Sequence, residues 1–132
     1  MTIENLKKEV IDLANDVYNE LGSGYSESVY ENAMKVGLRF LNICYEDQKT
    51  IELTYKSLYV GEGNPDIIIR TKDGDVIIEL KAISGKVSGK EEAQLKSYMK
   101  ILNIKNGLLI NMQAPGSNLE KGTVIEIKEL SL

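Results

Sequence analysis

Two short aliphatic runs, Asp66 to Arg70 and Val76 to Ala82, flank the tripeptide Lys72-Asp73-Gly74. Runs rich in β-branched residues favour strands, and Asp-Gly between two such runs is a strong hairpin signal. Period-2 alternation sorts the side chains: Ile67, Ile69, Ile78 and Leu80 fall on one face, Asp66, Glu79 and Lys81 on the other. With Asp73-Gly74 as a two-residue loop, Lys72 pairs with Asp75, Ile68 lies opposite Glu79, and Asp66 lies opposite Lys81. Asp66 and Glu79 are then diagonal neighbours, about 7–8 Å apart at the backbone. A three-residue loop would turn one strand over and separate Asp66 from the other two.

Charges in the middle of apolar strands need compensation, because burying each one alone costs several kcal/mol. A divalent ion between Asp66 and Glu79 would supply it, with the Leu80 carbonyl as a further oxygen ligand. Lys81 would then be placed to steer a metal-bound water or to offset charge developing on a phosphate. Glu-x-Lys is a common pattern, and an ion pair on an exposed strand is an alternative reading of it. The apolar flanks Ile67-Ile68-Ile69 and Val76-Ile77-Ile78 argue against that alternative.

The rest of the chain supplies layers for this hairpin. Ile3, Leu6, Val10, Leu13 and Val17 recur at helical spacing over residues 3–20, and Leu21-Gly22-Ser23-Gly24 ends the pattern. Ser26 is a candidate N-cap for a second helix with the stripe Val29, Tyr30, Ala33, Met34, Leu38 and Leu41. From Thr50, Ile51, Leu53 and Tyr55 alternate with polar residues as in a strand, and Gly61-Glu62-Gly63-Asn64-Pro65 reads as a turn. Residues 89–103 return to helical spacing through Ala93, Leu95, Tyr98, Met99 and Leu102. Gly107–Asn111 and Thr123–Ile127 read as two strands separated by the breaker Ala114-Pro115-Gly116. The expected order is α-α-β-β-β-α-β-β, an α/β (α+β) domain over residues 1–132 with a mixed central sheet flanked by helices.

Composition narrows the chemistry by what it lacks. The 132 residues include no histidine, which removes Ser-His-Asp catalysis, His-ligated zinc and imidazole bases. Hydrolysis would have to rest on carboxylates, lysine, tyrosine and a hard ion such as Mg²⁺. A single cysteine, Cys44, allows no internal disulfide and reads as a buried helix-end residue. The net charge of −4 is the wrong sign for coating nucleic acid by bulk charge. Lysines nevertheless gather at 81, 86, 90, 96, 100 and 105, either as a solvated helix face or as a phosphate-facing strip. No stretch approaches the ~18 apolar residues that span a bilayer. Glu4, Lys7, Lys8 and Glu9 also exclude a signal-peptide core at Met1–Glu9, so a cytoplasmic location is expected.

Pro65-Asp66, followed after the hairpin by Glu79-Leu80-Lys81, resembles the PD-(D/E)XK nuclease signature. Gly24-Tyr25-Ser26-Glu27-Ser28-Val29-Tyr30 is similar to the motif of the GxxExxY proteins within that superfamily. Gly61-Glu62-Gly63, Glu92-Ala93-Gln94-Leu95 with Tyr98, and Gly107–Asn111 are alike in character and order, so the resemblance covers roughly residues 5–128. It implies a restriction-endonuclease-like core, Mg²⁺ or Mn²⁺, and hydrolysis of nucleic-acid phosphodiesters, with DNA favoured over RNA. Asp66, Glu79 and Lys81 would be catalytic, and Glu27, Asp66, Glu79 and the Leu80 carbonyl would hold the metal. Glu27 can equally be a first-turn glutamate favoured by the helix dipole. Gln94 and Tyr98, at i and i+4, resemble the Gln-x-x-x-Tyr motif of RecB-like nucleases and with Lys86 and Lys90 would meet the substrate. On the bland reading Gln94 is merely solvated and Tyr98 is core, and Tyr30 reads as packing. A binding or adaptor module that kept the fold without activity is the competing function, and a homodimer or protein partner is compatible with the size.

Overall fold

A computed structural model describes residues 2–113 and 125–132. Helix α1 (Ile3–Leu21) begins at Thr2, whose hydroxyl accepts the Asn5 N–H at 3.1 Å and satisfies one of the unpaired first-turn donors. Its buried stripe is Leu6, Val10, Ala14 and Val17. Helix α2 (Glu27–Phe40) begins at Ser26, although no side-chain cap bond forms there, and buries Tyr30, Met34, Lys35 and Leu38. Gly37 permits the close passage of α1, since a Cβ at that position would collide with the Leu13 side chain.

Among the described residues seven strands and a third helix follow: β1 (Tyr45–Asp47), β2 (Ile51–Tyr55), β3 (Leu58–Gly63), β4 (Ile67–Thr71), β5 (Gly74–Lys81), α3 (Gly89–Leu102), β6 (Asn106–Asn111) and β7 (Glu126–Ser131). The main sheet runs in the order β1-β4-β5-β6-β7, and β2-β3 form a separate two-stranded sheet. The sheet is mixed because α3 carries the chain back over β5, so β6 lies parallel to it while every other pair is antiparallel. α3 starts from a capping box: the Ser88 side chain accepts from the first turn, and Glu91 reaches back to the Ser88 N–H at 2.8 Å.

Two apolar layers sandwich β5. On one side, α1 and α2 pack against Ile67, Ile69, Val76, Ile78, Leu80, Leu108 and Ile110. On the other, Leu95, Tyr98 and Met99 of α3 and Ile51 of β2 cover Ile68, Ile77 and Leu109. The expected mixed sheet flanked by helices is the architecture found, with two strands added to the order. β1 is three residues long and half-buried or exposed throughout, so it carries no alternation to read. β3 includes the glycines read as a turn. The reversal falls instead at Lys56-Ser57, both left-handed (φ 50° and 68°), where the sequence has neither of the usual Asn-Gly or Asp-Gly signals.

Two further expectations need correction. The β4–β5 loop is Lys72-Asp73, because Gly74 pairs with Thr71, and Ile68 lies opposite Ile77 rather than Glu79. A shift of two residues preserves the faces but brings Asp66 into line with Glu79 instead of Lys81. Cys44 is exposed, since the helix ends before it and only its carbonyl is engaged, accepting the Arg70 N–H. β7 begins at Glu126; Ala114-Pro115-Gly116 and Thr123 lie outside the described residues. Among the described residues no helix is long and apolar enough to cross a membrane.

Candidate active site

The β4–β5 ladder ends at the pair Ile67–Ile78, because Pro65 has no N–H with which to continue it. Side chains take over the pairing. The Asp66 carboxylate accepts the Leu80 N–H at 2.8 Å, and the Glu79 carboxylate accepts the Asp66 N–H at 3.0 Å. Each carboxylate is thereby fixed through one oxygen. The N–H and C=O of a strand residue point to the same side, so the Leu80 carbonyl faces the gap that β4 leaves. The backbone of Lys81 faces the opposite edge, toward β6, and its carbonyl accepts the Met112 N–H at 2.8 Å.

Burial dominates the electrostatics. Glu79 is 4% exposed, and its carboxyl is pushed up to about 8 by desolvation and then by the neighbouring Asp66, against the weaker pull of the Asp66 N–H and Lys81. Burial likewise pushes Asp66 up to about 6, opposed by the Leu80 N–H and reinforced by Glu31 and Glu27. Among the described residues neither carboxylate has a salt-bridge partner within 4 Å. The pair is a concentration of buried oxygen donors with no ion-pair partner among the described residues.

Glu27, in the first turn of α2, acts electrostatically on both Asp66 and Glu79 and raises each. Glu31, one turn later, raises Asp66 more strongly than Glu27 does and lines a cavity with it. Sequence reading missed Glu31; its i, i+4 spacing from Glu27 was the available signal. Lys81 is half-buried, and its Nζ meets Gln94 Oε1 at 3.4 Å, joining β5 to α3. Tyr98 is 8% exposed and packs in the second core layer. Its phenol is raised by burial and by Glu79, while the Asn64 N–H donates to it. Gly63 explains part of the Gly-Glu-Gly segment: a Cβ there would stand 2.6 Å from Tyr98 Cε1. Lys86 and Lys90 are exposed, and no described contact ties either to Asp66, Glu79 or Lys81. Tyr30 is fully buried and donates its hydroxyl to the Gly22 carbonyl at 2.6 Å, as expected of a packing residue.

Asp66 and Glu79 offer only oxygen donors, a chemistry that suits a hard cation such as Mg²⁺ or Mn²⁺. Among the described residues no three acidic groups stand close enough to form a finished cage. The fit therefore rests on the two buried, uncompensated carboxylates and their chemistry.

Comparison with known proteins agrees with the fold. The solved crystal structure of SSO0001 is similar, with a TM-score of 0.57 and 20% sequence identity over 79% of this chain and 50% of that one. This chain thus spans about half the length of that protein. A search of curated proteins finds no match. The family model of the PD-(D/E)XK nuclease superfamily matches residues 4–125, nearly the whole sequence, and the chain belongs to that superfamily.

Proposed function

We propose that the chain is a divalent-metal-dependent nuclease that hydrolyses nucleic-acid phosphodiester bonds, with DNA favoured and single-stranded or branched forms included. The convergence of Asp66 and Glu79 supports this reading above all. Two adjacent carboxyls, raised by burial and without an ion-pair partner among the described residues, are groups that a divalent cation would hold in their charged form. Mg²⁺ or Mn²⁺ held by Asp66, Glu79, Glu27 and the Leu80 carbonyl would supply that charge and act as a Lewis acid toward the phosphate. Lys81, steadied by Gln94, would orient the attacking water and offset charge building on the phosphoryl oxygens. Tyr98 would keep the floor dry beneath Glu79. Lys86 and Lys90 are free to attract the backbone as exposed cations.

The acidic balance of the chain favours a second reading, a catalytically silent adaptor in a nucleic-acid processing complex. One experiment separates them: labelled single-stranded, duplex and branched DNA and RNA, incubated with Mn²⁺, Mg²⁺ or EDTA, beside Glu79→Ala and Lys81→Ala. Cleavage that disappears with EDTA and with either substitution is expected. Cleavage that survives them would sink the mechanism, and metal binding without cleavage of any substrate would favour the adaptor.

A further inference from the structure

Lysine is seldom buried unless paired, and Lys35 in the middle of α2 is 6% exposed. Its Nζ lies 3.1 Å from Glu31 Oε2 and 2.9 Å from Asp47 Oδ2. Glu27, Glu31 and Lys35 follow one another at i, i+4 and i+8, so they share one face of the helix. Asp47 ends β1 directly opposite Ile67, the residue that follows Asp66. The ammonium thus ties α2 to the sheet at the point where Asp66 emerges. Glu31 and Asp66 both line one cavity of about 190 Å³ there, with Gln48, Asn64 and Pro65.

We propose that Lys35 is a positioning residue that clamps Glu31 beside Asp66 and so adds Glu31 to the carboxylates that govern metal binding. With one oxygen committed to Lys35, Glu31 has its other oxygen to turn toward Asp66. Asp47 keeps the lysine from following the glutamate into solvent. The inference rests on the metal-dependent reading above and concerns how the site is held rather than what it cleaves.

The sign of one measurement separates a clamp from a bystander. A cation merely close to the site repels Mn²⁺, so removing it would tighten Mn²⁺ binding; removing a clamp weakens it. Calorimetric titration of the full chain with Mn²⁺ alone should show binding about tenfold weaker in Lys35→Met and in Glu31→Gln, the usual effect of losing a residue that orients a ligand. Lys35→Arg should restore binding to near the wild-type value. Thermal unfolding of each variant monitors the fold. Should Lys35→Met not fold, Asp47→Asn, altered at a half-exposed side chain, should show a smaller loss of the same sign. Unchanged or tighter Mn²⁺ binding in the folded variants would overturn the clamp while leaving the metal reading intact. Wild-type protein that takes up no Mn²⁺ would overturn both.

Discussion

The backbone N–H of Asp66 donates to Glu79 at 3.0 Å, while the carboxylate of the same Asp66 accepts the amide next to Glu79, that of Leu80, at 2.8 Å. The two acidic residues therefore hold each other through the main chain. Asp66→Asn keeps an oxygen for the Leu80 amide, whereas Asp66→Ala leaves that amide without its acceptor. Urea denaturation should find Asp66→Ala about 1–3 kcal/mol less stable than Asp66→Asn. Equal stability would mean that water replaces the carboxylate without loss.

Without metal, stability should fall as pH rises. Glu79, titrating at about 8 in the folded protein and near the usual carboxylate value when unfolded, binds more protons folded than unfolded across pH 5–8. The linkage slope is then negative, and the loss by pH 8 is on the order of a few kcal/mol. Glu79→Gln should flatten the profile and raise the metal-free midpoint at pH 8. Differential scanning calorimetry at pH 5, 6.5 and 8 in EDTA reads both effects, and a flat wild-type profile would refute them.

Metal uptake should release protons for the same reason. Mn²⁺ affinity should rise between pH 6 and 8 as Asp66 and Glu79 give up their protons. Titration in buffers of different ionisation enthalpy measures that release directly, and buffer-independent heats would contradict it.

Gly63 and Tyr98 are packed too tightly for a methyl group between them. Gly63→Ala should destabilise the protein by about 1–3 kcal/mol, the range for overpacking a core. Pairing it with Tyr98→Leu should recover part of the loss. Additive losses in a double-mutant cycle would show that the two positions do not touch.

Tyr30 spans the break between α1 and α2, its hydroxyl donating to Gly22 at 2.6 Å and accepting the Tyr25 N–H at 3.4 Å. Tyr30→Phe should cost about 1–2 kcal/mol by chemical denaturation. Its site-dependent activity should be unchanged at saturating metal.

Much of this was legible before the fold. The alternation of Ile67 to Arg70 and Val76 to Lys81 fixed which side chains share a face, and that survived a register error of two residues because the period is two. The error itself came from turn chemistry, since Gly74 joined the ladder rather than the loop. β1 was invisible because three residues at a sheet edge need no apolar pattern. Lys35 was equally hidden. A lysine on a helix reads as solvated unless its partners are known, and Asp47, twelve residues away, is joined to it only by the tertiary fold.

β5 is the middle strand of the main sheet, hydrogen-bonded on both sides and covered by apolar layers above and below. Amides there can exchange with solvent only through the rarest openings of the molecule. The β2-β3 ribbon, paired among the described residues only with itself and showing Tyr55, Leu58, Tyr59 and Val60 to solvent, lacks that protection. Glu79 and Lys81 therefore sit on the last part of the protein to breathe. Any adjustment to an arriving ligand would fall to the ribbon that leads into Asp66, while the floor beneath it stays still.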